Sequence, residues 1–220
     1  MNALNIEEAR FNMIEQQIRP WDVLDDQVLE TLNTTPREDF VPERYRALAF
    51  SDISVPLPHE QVMMPPKLEG RLLQSLLLNP KDRVLEIGTG SGYLTACLAK
   101  LAGKVHSVDI FADFIESAGN KLEAHGIRNV SFENVDAAQG LDSAERYDAI
   151  AVTGSLPLLH HGYHTLLKPG GRLFVIVGNP PIMQALLITR NSDQEWSQES
   201  LFEISVPPLI NAPRPETFRF

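Results

Sequence analysis

Three glycines at alternate positions are the part of the chain whose residue types and spacing most clearly predict chemistry. They lie in the run EIGTGSG, residues 86–92, between a short apolar segment typical of a strand and a segment typical of a helix. Gly88, Gly90 and Gly92 let the backbone turn tightly and approach a ligand with no Cβ in the way. The run indicates a nucleoside cofactor without specifying which one.

Two aspartates follow the next two predicted strands. Asp109 ends the segment KVHSVD, about 20 residues after the glycines, where a carboxylate accepts hydrogen bonds from both ribose hydroxyls of a nucleoside. Asp136 follows the segment NVSFENV, and we expect it to reach the adenine amino group, because ligands bind at the carboxyl ends of parallel strands. A solvated loop aspartate is the alternative interpretation of Asp136.

The spacing also separates two classes of cofactor. A dinucleotide site reads G-x-G-x-x-G, but its third glycine is replaced here by Tyr93, which would obstruct the close packing of helix on strand. Glu86 is unfavourable beside a pyrophosphate and compatible with the ammonium and sulfonium of S-adenosylmethionine. The pattern therefore favours a methyltransferase over a nicotinamide enzyme. The residues expected to bind the cofactor are Glu86, Gly88, Thr89, Gly90, Gly92, Asp109 and Asp136.

The elements that must position these residues alternate from about residue 81 to 190. The predicted strands are RVLEIG, KVHSVD, NVSFENV, YDAIAVT and RLFVIVG. The predicted helices span 91–102 and 111–125, and a further helix ends near Leu167. This alternation predicts parallel strands with right-handed crossovers. The segments ALLITR and LFEISVPPL predict a strand pair that adds an antiparallel edge.

Residues 1–80 are expected to be helices and proline-rich loops that precede this core. Apolar residues from Ile6 to Ile18 recur at helical spacing, and we expect Pro20 to stop that helix. Asp25 is the expected N-cap of a second helix. After the irregular stretch SDISVPLPHEQVMMPP, a third helix is predicted from Pro66. Its expected buried residues are Leu68, Leu72, Leu73 and Leu76.

Five successive segments resemble the motifs of the protein-L-isoaspartate (D-aspartate) O-methyltransferases. They are MIEQQIRP, VLDDQVLETLNTTPREDFVPE, DRVLEIGTGSGYLTACLA, YDAIAVTG and LKPGGRLFVIVG, and the resemblance covers about residues 8–210. It implies an α/β, Rossmann-like class I S-adenosylmethionine-dependent methyltransferase, with a mostly parallel seven-stranded sheet. We expect a single domain, residues 1–220, in which 1–80 form the helical preface and acceptor loop and 81–220 the cofactor-binding core.

The resemblance also implies a reaction. Members of this family transfer a methyl group to the α-carboxylate of an isoaspartyl residue, and the ester then collapses to a succinimide that reopens partly as aspartate. The expected partners are therefore damaged proteins or peptides that act as methyl acceptors, and the activity serves protein repair.

The acceptor loop departs from the family pattern, which reads glycine-x-glycine-glutamine-threonine-isoleucine-serine. Gln61 is retained, but Val62 replaces the threonine and Met64 replaces the serine. Methionine cannot donate a hydrogen bond to the acceptor carboxylate. Three hypotheses follow: repair that uses backbone N–H groups, methylation of a more apolar acceptor, or cofactor binding without methyl transfer. Simple gap filling in a core is the alternative reading of Met63 and Met64.

The remaining composition limits the function classes. A formal net charge of -10 repels phosphate backbones, so nucleic acid is not an expected partner. No segment has the pattern of a signal peptide or membrane span, and Cys97 is the single cysteine, so we expect a cytoplasmic protein. His160 and His164 share a helix face without a nearby carboxylate or thiol, and we expect no metal site. The oligomeric state stays open.

Overall fold

The computed structural model of the chain describes residues 3–214, with side chains from residue 5 onward. The last residues, 215–220, which include Phe218, Arg219 and Phe220, lie outside the described residues. Helix α1 spans Ala3–Met13. It continues as a π-helical segment, Ile14–Ile18, and a 3-10 turn, Arg19–Trp21, which contains Pro20. The proline is thus tolerated in the first positions of the last turn, and the helical path ends one residue later than expected.

The next helices follow the sequence prediction. Helix α2 spans Asp26–Thr34, and Asp25 is its N-cap, because its carboxylate accepts a hydrogen bond from the backbone N–H of Val28. Strands β1 (Val55–Pro56) and β2 (Val62–Met63) then form a hairpin. Helix α3 spans Pro66–Leu76. The four residues predicted to be its buried stripe are all buried, namely Leu68, Leu72, Leu73 and Leu76.

The main sheet contains seven strands, namely β3 Arg83–Ile87, β4 Lys104–Asp109, β5 Val130–Asn134, β6 Tyr147–Leu156, β7 Leu167–Asn179, β8 Ile182–Arg190 and β9 Trp196–Glu203. Their order across the sheet is β5-β4-β3-β6-β7-β8-β9. Strands β3 to β7 are parallel, and β8 is antiparallel to both of its neighbours. This confirms the mostly parallel seven-stranded sheet with an antiparallel edge pair. The order reverses between β3 and β6, where ligands bind in such sheets.

Helices α4 (Tyr93–Leu101) and α5 (Ala112–Ala124) connect the first three parallel strands. Both are shorter than the predicted ranges, 91–102 and 111–125. The difference at the start of α4 has a clear cause, because Gly92 has a left-handed φ of 84° that no helical residue adopts. No helix of the described residues is long and apolar enough to span a membrane.

Two elements differ more strongly from the prediction. The helix expected after β6 is reduced to a single turn, α6 (Gly162–Thr165). The strand expected over LFEISVPPL lies earlier, at Trp196–Glu203, and the chain leaves the sheet after it. Pro207 and Pro208 lack N–H groups and cannot continue a ladder, which explains the departure. The segment instead crosses back to β6, where the N–H of Ser155 donates to the carbonyl of Pro207.

Candidate active site

A cavity opens at the carboxyl ends of the parallel strands, beside the point where the strand order reverses. It contains about 980 Å³ of space between the surrounding atoms, its open mouth included. Its walls come from the glycine turn, the ends of β4 and β6, the β1–β2 hairpin and residues 206–210. Among the described residues, three carboxylic acids line it, Glu69, Asp109 and Asp136, and neither arginine nor lysine does.

The glycine turn forms the floor of this cavity. Gly88, Thr89 and Gly90 line it, whereas Gly92 does not. A Cβ at Gly88, where φ is 97°, would come within 2.1 Å of the Thr153 hydroxyl, so no other residue fits there. A Cβ at Gly92 would lie 2.8 Å from the side chain of Ala118, which means that this glycine permits α4 and α5 to pack closely. The predicted glycines therefore divide into two that face the cavity and one that serves packing.

Asp109 ends β4 and lines the cavity. Its Oδ2 accepts a hydrogen bond from the Gly90 N–H at 2.9 Å, and its Oδ1 accepts one from the Phe111 N–H at 3.0 Å. Burial raises the pKa of Asp109, and these two backbone donors oppose the shift. The carboxylate thus braces the glycine turn and retains lone pairs for a ligand, since each oxygen can accept a second hydrogen bond.

Asp136 also lines the cavity, in the turn after β5. Its Oδ1 accepts from the Ala138 N–H at 3.0 Å, and its Oδ2 accepts from the side-chain amide of Asn211 at 2.7 Å. Asp136 is exposed, so a ligand contact and a solvated loop aspartate both agree with its position. The amide of Asn211 links this loop to the segment that crosses β6.

Glu86 lies beneath the glycine turn instead of on the cavity wall. Successive residues of a strand face opposite sides, so when Ile87 faces the cavity Glu86 faces α4. Its Oε2 accepts hydrogen bonds from the hydroxyls of Thr95 at 2.5 Å and Ser107 at 2.6 Å. Burial raises the pKa of Glu86 to about 8. The expected contact with the ammonium or sulfonium of a cofactor is therefore not part of this geometry.

The same network reaches the cavity through Thr89. The Thr89 and Ser107 hydroxyls lie 2.6 Å apart, so a continuous chain of hydrogen bonds runs from Glu86 to the turn. On the other side, the Thr153 hydroxyl lies 2.9 Å from the carbonyl oxygens of both Ile87 and Gly88 and donates to them. Both networks hold the turn in one conformation before a ligand binds, which reduces the cost of binding.

The β1–β2 hairpin covers one side of the cavity. It turns through His59 and Glu60, which have positive φ values of 56° and 57°. The Leu57 N–H donates to the Gln61 carbonyl at 2.8 Å and closes the turn. Left-handed φ values cost residues other than glycine about 1–2 kcal/mol each, so this turn is strained.

A contact of His59 with α5 holds the strained hairpin in place. The His59 ring stacks on Phe111 at a centroid distance of 4.0 Å and an interplanar angle of 6°. Its Nε2 also lies 2.9 Å from a carboxylate oxygen of Asp113, and this hydrogen bond lowers the pKa of Asp113. The hairpin is thereby fixed beside Phe111, which itself lines the cavity.

Gln61 and Met64 both line the cavity. The Gln61 side-chain amide donates to the His59 carbonyl at 2.9 Å, and so it stabilises the turn. Met63 and Met64 are buried against the protein core while also forming part of the wall. The gap-filling and wall-forming interpretations therefore both describe these methionines.

A buried arginine connects the N-terminal segment to this wall. Arg37 is fully buried, and its Nε and Nη2 donate to the carbonyls of Ala49 at 2.8 Å and Met64 at 2.7 Å. Its Nη1 donates to Oε2 of Glu69 at 2.7 Å. The guanidinium also lies 4.8 Å from the centre of the Tyr93 ring. Burial raises the pKa of Glu69 to about 7, against the opposing effect of Arg37.

His160, His164 and Cys97 do not line the cavity. Within residues 3–214, no group of three His, Cys, Asp or Glu side chains is placed to hold a metal ion. His164 packs edge-on against Trp196 at 5.0 Å, and the Nδ1 of His160 accepts from the Gly162 N–H. Cys97 is fully buried in α4, and burial raises the pKa of its thiol to about 12. This thiol is therefore a protonated part of the core.

The comparison with known proteins agrees with this geometry. The profile of the protein-L-isoaspartate(D-aspartate) O-methyltransferases matches residues 8–212. The chain belongs to this family. Protein-L-isoaspartate O-methyltransferase 1 of Rhodopseudomonas palustris is 37% identical over 210 residues, which cover 95% of this chain and 86% of that protein. A protein-L-isoaspartate O-methyltransferase of Brucella anthropi is 34% identical over 207 residues, with coverages of 94% and 95%.

Solved structures confirm the fold. A Plasmodium falciparum protein described as a protein-L-isoaspartate O-methyltransferase, in complex with S-adenosyl-L-homocysteine, superposes with a TM-score of 0.79 at 20% identity. The match covers 93% of this chain and 97% of that one. A second protein-L-isoaspartate O-methyltransferase gives a TM-score of 0.77 at 25% identity and covers 92% of this chain but 65% of the other. The predicted class I methyltransferase fold is thus correct.

Against the family pattern, the acceptor hairpin differs in its side chains. Glu60 stands at the second glycine position of the family motif and has a positive φ. Met64 stands at the serine position, with its carbonyl held by Arg37. The sequence prediction missed Arg37, Glu69 and His59, because Arg37 lies 32 residues from Glu69 and 27 from Met64, and His59 lies 54 residues from Asp113. The PREDFVPE motif, which contains Arg37, was the available signal for the first.

Proposed function

We propose that the chain binds S-adenosylmethionine in this cavity and transfers its methyl group to the α-carboxylate of an isoaspartyl residue. Membership of the family supports the reaction, and the cavity supports the cofactor. A wall with two aspartates, Asp109 and Asp136, and, within residues 3–214, no arginine or lysine suits a sulfonium and an ammonium. The same wall is unsuited to a pyrophosphate. This charge pattern is the observation that carries the proposal.

The residues would divide the binding between them. Gly88, Thr89 and Gly90 present backbone to the cofactor, Asp109 accepts hydrogen bonds from its ribose, and Asp136 lies near its adenine. Glu86 and Gly92 support the turn from outside the cavity. The complex of the Plasmodium protein with S-adenosyl-L-homocysteine supports S-adenosylmethionine as the cofactor.

The reaction mainly requires that the acceptor oxygen and the methyl group of the cofactor are aligned. S-adenosylmethionine supplies a methyl group on a positively charged sulfur, so an acceptor oxygen bonds to the methyl carbon while the carbon–sulfur electron pair stays on sulfur. Because the acceptor carboxylate is already ionised, no proton has to move and no strong base is needed. The hairpin side chains Leu57, Met63 and Met64 line the cavity and exclude water from the reacting atoms.

A second candidate function is methylation of a more apolar acceptor. The wall position of Met63 and Met64 favours it, because both side chains present sulfur and methyl groups where the family has isoleucine and serine. The proposal of isoaspartyl transfer also extends to damaged proteins as partners, to a cytoplasmic location and to one domain over residues 1–220. Family membership supports all three of these extensions. The single cysteine, Cys97, also suits a cytoplasmic location.

Transfer of labelled methyl from S-adenosylmethionine to an isoaspartyl peptide tests the proposal. The aspartyl twin of the peptide is the control for specificity, and cofactor binding is measured on the same sample. We expect base-labile label on the isoaspartyl peptide alone. Cofactor binding without label on either peptide would refute isoaspartyl transfer and leave the apolar acceptor as the candidate.

A further inference from the structure

The hairpin end of the cavity contains a carboxylic acid that the cofactor site does not use. Glu69 lies in the first turn of α3, is 1% exposed and lines the cavity. The guanidinium of Arg37 binds Oε2 of Glu69 through Nη1 and the carbonyl of Met64 through Nη2, both at 2.7 Å. Because one planar guanidinium holds both groups, the Glu69 carboxyl lies close to the residue that replaces the family's serine.

We infer that protonated Glu69 binds the acceptor carboxylate by donating a hydrogen bond from Oε1, in place of the missing serine hydroxyl. Arg37 occupies Oε2, and no residue of the described range bonds to Oε1, which leaves this oxygen for the cavity. One acceptor oxygen takes the hydrogen bond and the other attacks the methyl carbon, while Glu69 keeps its proton. The inference rests on the proposed function and names the acceptor-binding residue of that site.

The surroundings of Glu69 favour the protonated form. Burial raises its pKa to about 7, although Arg37 opposes the shift. The other titratable groups that face it are Glu86 of β3 and Tyr93 and Cys97 of α4. Burial raises the pKa of all three, so Tyr93 and Cys97 stay neutral. None of the three carries a positive charge that would stabilise an ionised Glu69. An acceptor carboxylate raises the pKa of Glu69 further, since like charges disfavour a second ionisation.

Other polar side chains at this end are less suited to the role. Ser54 lines the cavity but is exposed, and the amide of Gln61 already donates to the His59 carbonyl. A hydrogen bond from a buried acid to a carboxylate is stronger than one from an exposed hydroxyl, because little water competes for either partner.

The test is the pH profile of kcat/KM for an isoaspartyl peptide between about pH 6 and pH 9, where the acceptor carboxylate stays ionised. The wild-type value should fall by about tenfold per pH unit above pH about 7, as Glu69 loses its proton. Glu69→Gln keeps a donor that does not titrate, along with an oxygen for Arg37, so its profile should be flat. Glu69→Leu should lose activity by roughly 10- to 100-fold.

Two further variants make the result specific. Glu38→Gln is the matched control, because Glu38 is also a buried acid paired with an arginine, Arg10, at 2.6 Å, and does not line the cavity. It should keep the wild-type profile. Adding Met64→Ser to Glu69→Leu restores a hydroxyl and should recover activity without pH dependence. Thermal unfolding of each variant separates loss of folding from loss of binding.

Three outcomes would overturn the inference. A Glu69→Gln variant that keeps the wild-type fall places the titrating group elsewhere, with Glu86 the first candidate. A Glu69→Leu variant with wild-type activity shows that the side chain does not bind the acceptor. If Ser54→Ala loses activity by roughly 10- to 100-fold while Glu69→Leu keeps wild-type activity, the acceptor-binding role belongs to Ser54. If the wild type binds cofactor but methylates no isoaspartyl peptide at any pH, the proposed function itself fails.

Discussion

Replacing Arg37 with methionine should strongly destabilise the protein, by an amount that depends on pH. Arg37 is fully buried, and its removal leaves Glu69 without its partner and the carbonyls of Ala49 and Met64 without a donor. Removing one member of a buried ion pair costs about 3–5 kcal/mol. Glu69 can escape part of this cost by binding a proton. We therefore expect a loss of about 4 kcal/mol at alkaline pH and a smaller loss at pH about 5.

Urea unfolding followed by the fluorescence of the two tryptophans, Trp21 and Trp196, measures these free energies. The double variant Arg37→Met with Glu69→Leu removes both charges and should recover a large part of the loss, since apolar pairs replace buried ion pairs well. Arg46→Met is the control, because Arg46 pairs with Asp39 at 2.8 Å on the surface and should cost under about 1 kcal/mol. A loss under about 1 kcal/mol for Arg37→Met, or a double variant no more stable than the single one, would refute this reasoning.

Three other predictions follow from the site. Glu60→Gly should stabilise the protein by about 1 kcal/mol, because it relieves the positive φ of 57° at Glu60, and thermal unfolding should show a higher Tm. An unchanged or lower Tm would argue against strain in the hairpin. Asp109→Asn should weaken S-adenosylmethionine binding by about tenfold or more in calorimetric titration, since it would remove the charge-assisted hydrogen bonds that we propose between Asp109 and the ribose. Affinity equal to wild type would remove Asp109 from the cofactor site. Stability should fall as pH rises from about 5 to 9, because the pKa values of Glu69, about 7, and Glu86, about 8, are both raised above their unfolded values near 4.5. A stability that rises over this range in urea unfolding would contradict the buried, proton-binding state of both acids.

The parts of the fold that the sequence predicts well are those fixed by local chemistry. The N-cap Asp25 and the leucine stripe of α3 each depend on residues a few positions apart, and both are as expected. The glycine turn before α4 also forms, but Gly92 serves helix packing instead of lining the cavity. The shift of β9 shows how a local signal can be outweighed. Apolar residues continue past Glu203 toward Leu209, but the two prolines among them cannot donate to a ladder.

The site is only partly predictable from the sequence, because its geometry depends on more than local chemistry. Gly88, Thr89, Gly90, Asp109 and Asp136 all line one cavity, although their roles toward a cofactor stay predictions. Glu86 was expected at the ligand because it adjoins the glycines, but the alternation of β3 turns its side chain toward Thr95 and Ser107. The expected division into one domain, residues 1–220, also stays a prediction.

Contacts between distant segments could not be read from the sequence. His59 and Asp113 are 54 residues apart, and Arg37 and Glu69 are 32 residues apart. Each pair forms because the hairpin and α3 pack beside the cavity, and no spacing rule for a single helix or strand relates such residues. The two pairs nevertheless determine the wall at which an acceptor would bind.

Mass spectrometry of the reaction products on a single isoaspartyl peptide directly tests methyl transfer to the isoaspartyl α-carboxylate. The peptide is incubated with the protein and S-adenosylmethionine, then allowed to stand without cofactor. We expect a methyl ester on the α-carboxylate of the isoaspartyl residue, followed by a succinimide and by normal aspartyl peptide, with about tenfold less of each formed by Asp109→Asn at low cofactor concentration. An intact isoaspartyl peptide alongside demonstrated cofactor binding, or a methyl group on any other atom, would contradict it.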